Sequence, residues 1–343
     1  MIAYKYRSGR GTKDCDGKDV FERDLDLLSR DTIYIPTVAQ LNDPAEAFVD
    51  DSIFKVQLQL FKKLGAKDSI RLVENSFKSF YESIRLSGIY SLSKKIDNEL
   101  MWAYYASGHT GYAIIFDTDV LAKSFDRGKW GGMYEIDVNY SKKLPKFDIS
   151  RLNRGNDVTV ALSCFVGNKS EAWAHEEEHR LVFDKGGKSL VIDYRAIKGF
   201  VFGCRMKDEA MDYVMRSFAG RDLEYYKIVQ KDNSYKLSLQ KLKDRYLDAD
   251  RYCPNKVEYD IEKLIEWDRY SDGVGYKYRS FVEDAMREVS KEPFLTGISH
   301  IVVTDDGKHP HILIWAKIDQ DGYVSPMKSF EYDMIDGKLI RCK

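Results

Sequence analysis

Long apolar runs are missing from this chain. None approaches the roughly 20 residues that a membrane-spanning helix needs, and the opening MIAYKYRSGRG lacks the positive-then-apolar order of a secretory signal. The expectation is a cytoplasmic protein with no membrane segment. Cysteine is scarce and badly spaced for cross-linking: Cys15, Cys164, Cys204, Cys253 and Cys342 are five, far apart and never in a C-x-x-C pair. That argues against a disulfide framework or a cysteine-rich zinc site and leaves reduced, mostly structural thiols. An excess of one charge is missing too. With 54 Lys+Arg against 55 Asp+Glu the net charge is −1, so no global field draws the protein toward nucleic acid or an anionic membrane.

What is there describes a globular protein: 43% hydrophobic and 32% charged residues over 343 positions, enough for two domains of roughly 100–200 residues. IAYKYRS reads as a first strand, VFERDLDLLSRD as a short helix and TIYIP as a second strand. TVAQLNDPAEAF is irregular, with Asn42 and Asp43 as turn or cap residues ahead of Pro44 and Glu46 left open as a partner for Arg7. Residues 52–87 carry apolar positions at helical spacing and predict two helices broken near Gly65. GIYSLS is strand-like, NELMWAYYASG a helix capped by Asn98, and the contiguous apolar core of GYAIIFD marks a buried strand. Further strands are expected at YEIDVNY, RLVFD, SLVID and GFVFG. The fold class is therefore α+β, with a mixed-sheet domain over residues 1–240. A smaller α+β domain over 241–343 would pack the helices VEYDIEKLIEWDRY and SFVEDAMREVS on an antiparallel meander whose strands are punctuated by Asp-Gly turns.

Residues 172–183, AWAHEEEHRLVF, contain the H-E-x-x-H pattern of zinc metallohydrolases. In a zincin, His175 and His179 would lie one helical turn apart as ligands, with Glu176 polarising a metal-bound water. Leu181, Val182 and Phe183 follow at once, so a helix would have to stop at the second histidine, and no third ligand is singled out. The segment reads better as a helix-to-strand transition in which Glu176, Glu178 and Arg180 alternate on one strand face, with no metal bound. A zinc hydrolase ranks third among the functional readings.

Four phrases, YKYRS, LNDPAEAF, SLSKKIDNELMWAYYASGHTGYAIIFD and KSEAWAHEEEHRLV, together resemble a family of uncharacterised bacterial proteins known only as a domain of unknown function. The resemblance spans about residues 1–240 and carries the pattern W-x-x-E-x-E-x-R, matched by Trp173, Glu176, Glu178 and Arg180. Read as a set, the motifs also look like those of ADP-ribosyltransferases, including the DarT-type DNA-modifying toxins. Arginine-type members carry a basic residue on a first strand, S-x-S on a middle strand and E-x-E on a later one. Arg7, then Ser91 and Ser93, then Glu176 and Glu178 follow that order.

This resemblance implies NAD⁺ as a substrate, a macromolecular acceptor (nucleic acid or protein) recognised by the C-terminal domain, and the setting of a bacterial toxin or phage-defence effector. It implies that Lys5 or Arg7 holds phosphate or ribose, that Ser91 and Ser93 shape the floor beneath nicotinamide, and that Tyr104 or Tyr105 stacks on the ring. Glu178 would grip the ribose and stabilise developing positive charge, while Glu176 would position or deprotonate the acceptor. His109 and Arg180 complete the implied cofactor-binding set. The alternative from another class is a non-enzymatic binding module in which the E-x-E-x-R face is structural and Trp102, Tyr104 and Tyr105 are core aromatics.

Overall fold

The computed structural model describes residues 1–14, 16–65, 67–125, 133–148, 158–254, 257, 259–266, 274–305, 307, 309–318 and 327–342. The chain folds as two compact units, the first closing at Ala249 and the second opening at Asp250. The expected boundary at 240 falls inside a strand that runs to Leu242, because LSLQKL alternates and pairs in the sheet despite its charged surroundings.

Among the described residues the first unit has the strands β1 (Ile2–Arg7), β2 (Thr32–Ile35), β3 (Gly88–Ser93), β4 (Tyr112–Asp117), β5 (Tyr134–Asp137), β6 (Asn139–Ser141), β7 (Asn168–Ser170), β8 (Glu178–Phe183), β9 (Lys188–Val191), β10 (Ile197–Phe202), β11 (Glu224–Gln230) and β12 (Leu237–Leu242). Its helices are α1 (Val20–Ser29), α2 (Ser52–Lys63), α3 (Lys67–Leu86), α4 (Glu99–Tyr105), α5 (Thr118–Lys123), α6 (Val158–Val166) and α7 (Asp208–Ser217). Eight strands form one mixed sheet in the order β12-β11-β10-β4-β1-β3-β8-β5, antiparallel except for the parallel pair β10 and β11.

Strand β4 is central because its apolar run can bury both faces. Ile114 and Phe116 join Phe21, Leu25 and Leu28 of α1 in one core. Ala113 and Ile115, alternating with them, join Tyr6 and Trp102 in another. A third core, built on Phe54, Phe147 and Phe165, lies under α2, α3 and α6. The break between α2 and α3 falls at Gly65, whose φ of +88° suits glycine.

The sheet is not uniformly zipped. β1 pairs with β4 at six residue pairs, from Ile2↔Asp117 to Arg7↔Tyr112. With β3 it pairs at one, Tyr4↔Ser93. A seam therefore opens between β1 and β3 in the middle of the sheet.

The second unit holds α8 (Ile261–Glu266), α9 (Val274–Lys277), α10 (Arg279–Val289) and the meander β13 (Leu295–Asp305), β14 (Pro310–Ile318), β15 (Met327–Ile335) and β16 (Lys338–Arg341). Val282, Ala285, Met286 and Val289 of α10 pack on Ile301, Ile312, Ile314 and Phe330 of the sheet. Asp336 and Gly337, both at positive φ, make the tight turn between β15 and β16 that the Asp-Gly signal predicts. The expected turn at Asp321-Gly322 lies outside the described residues, as does Cys15. Among the described residues Cys164, Cys204, Cys253 and Cys342 form no disulfide; Cys164 is buried and the other three are exposed. No helix among the described residues is long and apolar enough to cross a membrane.

Candidate functional site

A cleft of about 360 Å³ opens at the seam between β1 and β3. It is lined by Lys5 and Arg7 of β1, Ser91 and Ser93 of β3, Tyr104 and Tyr105 of α4, Lys169 of β7, Glu176, and Glu178 and Arg180 of β8. Its volume falls within the range of small-molecule sites, about 300–1,000 Å³. Of the residues that the NAD⁺ reading names, His109 alone is not among its lining. That side chain sits on a turn at φ +71°, its Nδ1 buried without a partner, and burial followed by the charge of Arg205 lowers its pKa.

The two carboxylates reach the cleft by different routes. Ser170 caps a short 3₁₀ helix, Glu171–Glu176, and Glu177 then reverses the chain at φ +41°. The reversal is held from β3: Lys94 N donates to Glu177 O at 3.0 Å, and Ser93 Oγ donates to Glu176 O at 2.7 Å. Only after it does β8 begin, with Glu178 opposite Ser93 and Arg180 opposite Ser91. The expectation of a single strand face carrying Glu176, Glu178 and Arg180 is therefore corrected. Glu178 and Arg180 share such a face, whereas Glu176 ends the turn before it.

The same reversal separates the H-E-x-x-H histidines. His175 lies on the 3₁₀ turn with its ring against Tyr104 and Trp173, at centroid distances of 6.1 and 6.0 Å. His179 lies on β8, where alternation sends it to the face opposite Glu178. There its Nδ1 meets Asp137 Oδ1 at 2.8 Å and its Nε2 meets Glu135 Oε2 at 3.1 Å. Among the described residues no group of three or more His, Cys, Asp or Glu side chains is arranged to hold a metal ion.

Charge in the cleft is organised around Arg180, whose side chain is fully buried. Its Nε donates to Glu178 Oε2 at 2.9 Å, and Nη1 donates to Glu46 Oε1 at 2.6 Å and to Val166 O at 2.7 Å. Nη2 bridges back to Glu46 Oε2 at 3.1 Å and to Glu178. Arg180 thus spends its donors on protein acceptors and supports the site instead of gripping a ligand. Glu46 is its partner, not that of Arg7, which lies 3.5 Å from Asp24. Burial by itself would raise the Glu178 pKa, but Arg180, Lys169 and a hydrogen bond from Ser91 outweigh it and hold the carboxyl below its ordinary value.

Lys169 is the residue that sequence reasoning missed. Its ammonium pairs with Glu176 Oε2, lies 3.6 Å from Glu178 Oε2 and stands 5.1 Å from the centre of the Trp173 ring. No periodicity marks it, since a single lysine in KSEAW looks like any solvated charge. Tyr105, expected to stack, instead donates its hydroxyl to Glu176 Oε1, and the Asn42 side chain lies within hydrogen-bond reach of the same phenol. Asn42 is therefore a cleft residue, while Asp43 does cap its turn, accepting from Ala45 N at 2.9 Å. Tyr104, 64% exposed, stands at the rim. Lys5 Nζ donates to Ser91 O at 2.7 Å across the seam and stands 4.7 Å over the Tyr90 ring. Burial first, and then the neighbouring charge of Arg7, lower the Lys5 pKa to about 7.

The fold and cleft define an α+β protein whose candidate site sits at a split in a large mixed sheet. Residues 101–181, from α4 into β8, match the model of a family described as a protein of unknown function (DUF2971). That stretch contains Tyr104, Tyr105, Lys169, Glu176, Glu178 and Arg180, so the resemblance to an uncharacterised family rests on cleft residues. Neither a curated protein nor a solved structure matches the chain.

Proposed function

We propose that the protein is an NAD-dependent ADP-ribosyltransferase acting on a macromolecular acceptor, with the second unit recognising that acceptor. The observation that carries this reading is the convergence of Arg7, Ser91, Ser93, Glu176 and Glu178, spread over more than 170 positions of sequence, on one cleft. Each supplies a chemistry that NAD⁺ demands. Lys5 and Arg7 offer cationic donors to the pyrophosphate. The bond between nicotinamide and ribose breaks with its electron pair leaving on the nicotinamide nitrogen, which builds positive charge on the ribose. Glu178, kept ionised by its neighbours, is suited to stabilise that charge and to accept from the ribose hydroxyls. The cost of holding a carboxylate in a buried place is offset in advance by Arg180 and Lys169.

A second reading keeps one observation on its side: Arg180 is saturated by Glu46, Glu178 and a backbone carbonyl, as a purely structural ion network would be. NAD⁺ consumption separates the two. Wild type should turn over NAD⁺, and Glu178→Gln should lower the rate about 100-fold or more, with thermal unfolding followed in parallel because the residue is buried. Absence of both NAD⁺ binding and NAD⁺ consumption in the wild type would leave the binding module as the better account.

A further inference from the structure

Glu176 is almost wholly buried, at 1% exposure, and both of its oxygens are engaged from within the protein. Oε1 receives the Tyr105 hydroxyl and Oε2 the Lys169 ammonium. Lys169 is itself buried, its side chain 7% exposed. An acceptor entering the cleft therefore cannot reach Glu176 without displacing a donor, and of these two cleft-lining donors only the Tyr105 hydroxyl has lone pairs with which to take a proton while giving one up, the Lys169 ammonium having none. We propose that Tyr105 meets the acceptor nucleophile and relays its proton to Glu176, with Lys169 fixing the receiving carboxylate. The proposal rests on the NAD⁺ reading above.

The step balances without an oxidant or reductant. The nucleophile's proton passes to Tyr105 Oη as the Tyr105 proton passes to Glu176 Oε1. The nucleophile bonds to the ribose carbon while the bond to nicotinamide breaks, its electron pair leaving with nicotinamide. Glu176 later returns the proton to solvent. Burial, followed by the hydrogen bond to Glu176, pushes the Tyr105 phenol well above its ordinary value, so it stays protonated before reaction and works by passing a proton on.

The test uses the full chain with NAD⁺ and two nucleophiles, water and azide. Water must lose a proton to react, whereas the azide anion carries none. Tyr105→Phe keeps the ring, and Glu176→Gln keeps the shape of the carboxylate. Both should bind NAD⁺ as wild type does while losing water-dependent turnover about 100-fold. Both should regain turnover when sodium azide is added, with the ribosyl azide adduct detected by mass. The double variant should be no slower than either single one, because a relay fails as a unit. Glu178→Gln should gain nothing from azide. Wild-type turnover in Tyr105→Phe, or additive losses in the double variant, would overturn the relay while leaving the NAD⁺ reading intact. A wild type that neither binds nor consumes NAD⁺ would overturn that reading and the relay together.

Discussion

At the scale of single residues, Arg180 is the position where substitution is costliest. Its planar fork meets two carboxylates, one of them 134 residues away in sequence, and no lysine reproduces that geometry. Arg180→Lys should therefore destabilise the protein by about 3 kcal/mol, the scale for breaking a buried pair, read by denaturant unfolding; a loss below ~1 kcal/mol would mean that the network adapts. Lys5 gives a pH dependence of known sign. Its folded-state pKa near 7 means that the cleft loses an ammonium charge as pH rises through 7. Affinity for an anionic probe such as inorganic pyrophosphate should fall from pH 6 to pH 8, and Lys5→Met should flatten that profile. Stability carries the opposite trend. The unfolded lysine keeps its proton up to about pH 10.4, so between about 7 and 10 the unfolded state binds more protons and the Lys5 contribution to stability grows with pH. For Glu178, depressed in the folded state, the contribution is present at neutral pH and is lost as pH falls through its folded value. Sequence alone could propose these residue types but not their pairings. Glu46 is left open as a partner for Arg7 and Lys169 looks like surface, until the chain fold brings each to Arg180 or Glu176.

At the scale of elements, the strands and helices with clear periodicity were legible, and the short connections were not. GIYSLS, GYAIIFD and the Asn98-capped helix form where their patterns predict. The break after Glu176 was invisible because Glu177 is not a residue that favours positive φ; contacts from Lys94 and Ser93 impose it. α7 and β11 were also missed, since mixed polar and aromatic stretches such as DEAMDYVMRS announce neither period strongly. A connection that was underestimated is the turn before β4. A side chain at Gly111 would place its Cβ 2.2 Å from the Arg7 carbonyl oxygen and 2.9 Å from Gly9 N. Gly111→Ala should lower stability by about 2 kcal/mol through this overlap. It should also weaken pyrophosphate binding, because the end of β1 carries Arg7. Calorimetric unfolding showing no change would mean that the turn yields without disturbing β1.

At the scale of the whole molecule, the chain divides into two units with no core shared between them, and the α+β class with a large mixed sheet and a distinct antiparallel sheet follows from strand patterns alone. The strand order does not. Placing β1 between β4 and β3 depends on long-range pairing that no local pattern encodes, and the seam is a product of that order. Strand β4 is hydrogen-bonded on both flanks, by β1 and by β10. Facing strands β1 and β3 share one residue pair and are otherwise tied by the Lys5 ammonium on the Ser91 carbonyl. The sheet therefore behaves as two leaves, β12 to β1 and β3 to β5, joined at the crease by the Tyr4–Ser93 pair and by the Lys5 bond, which can be exchanged for a ligand's oxygen. Amide hydrogen exchange should be slowest in β4 and measurably faster at residues 91–93. An anion that draws Lys5 away from Ser91 should quicken exchange there first, so the crease itself would report that the cleft is filled.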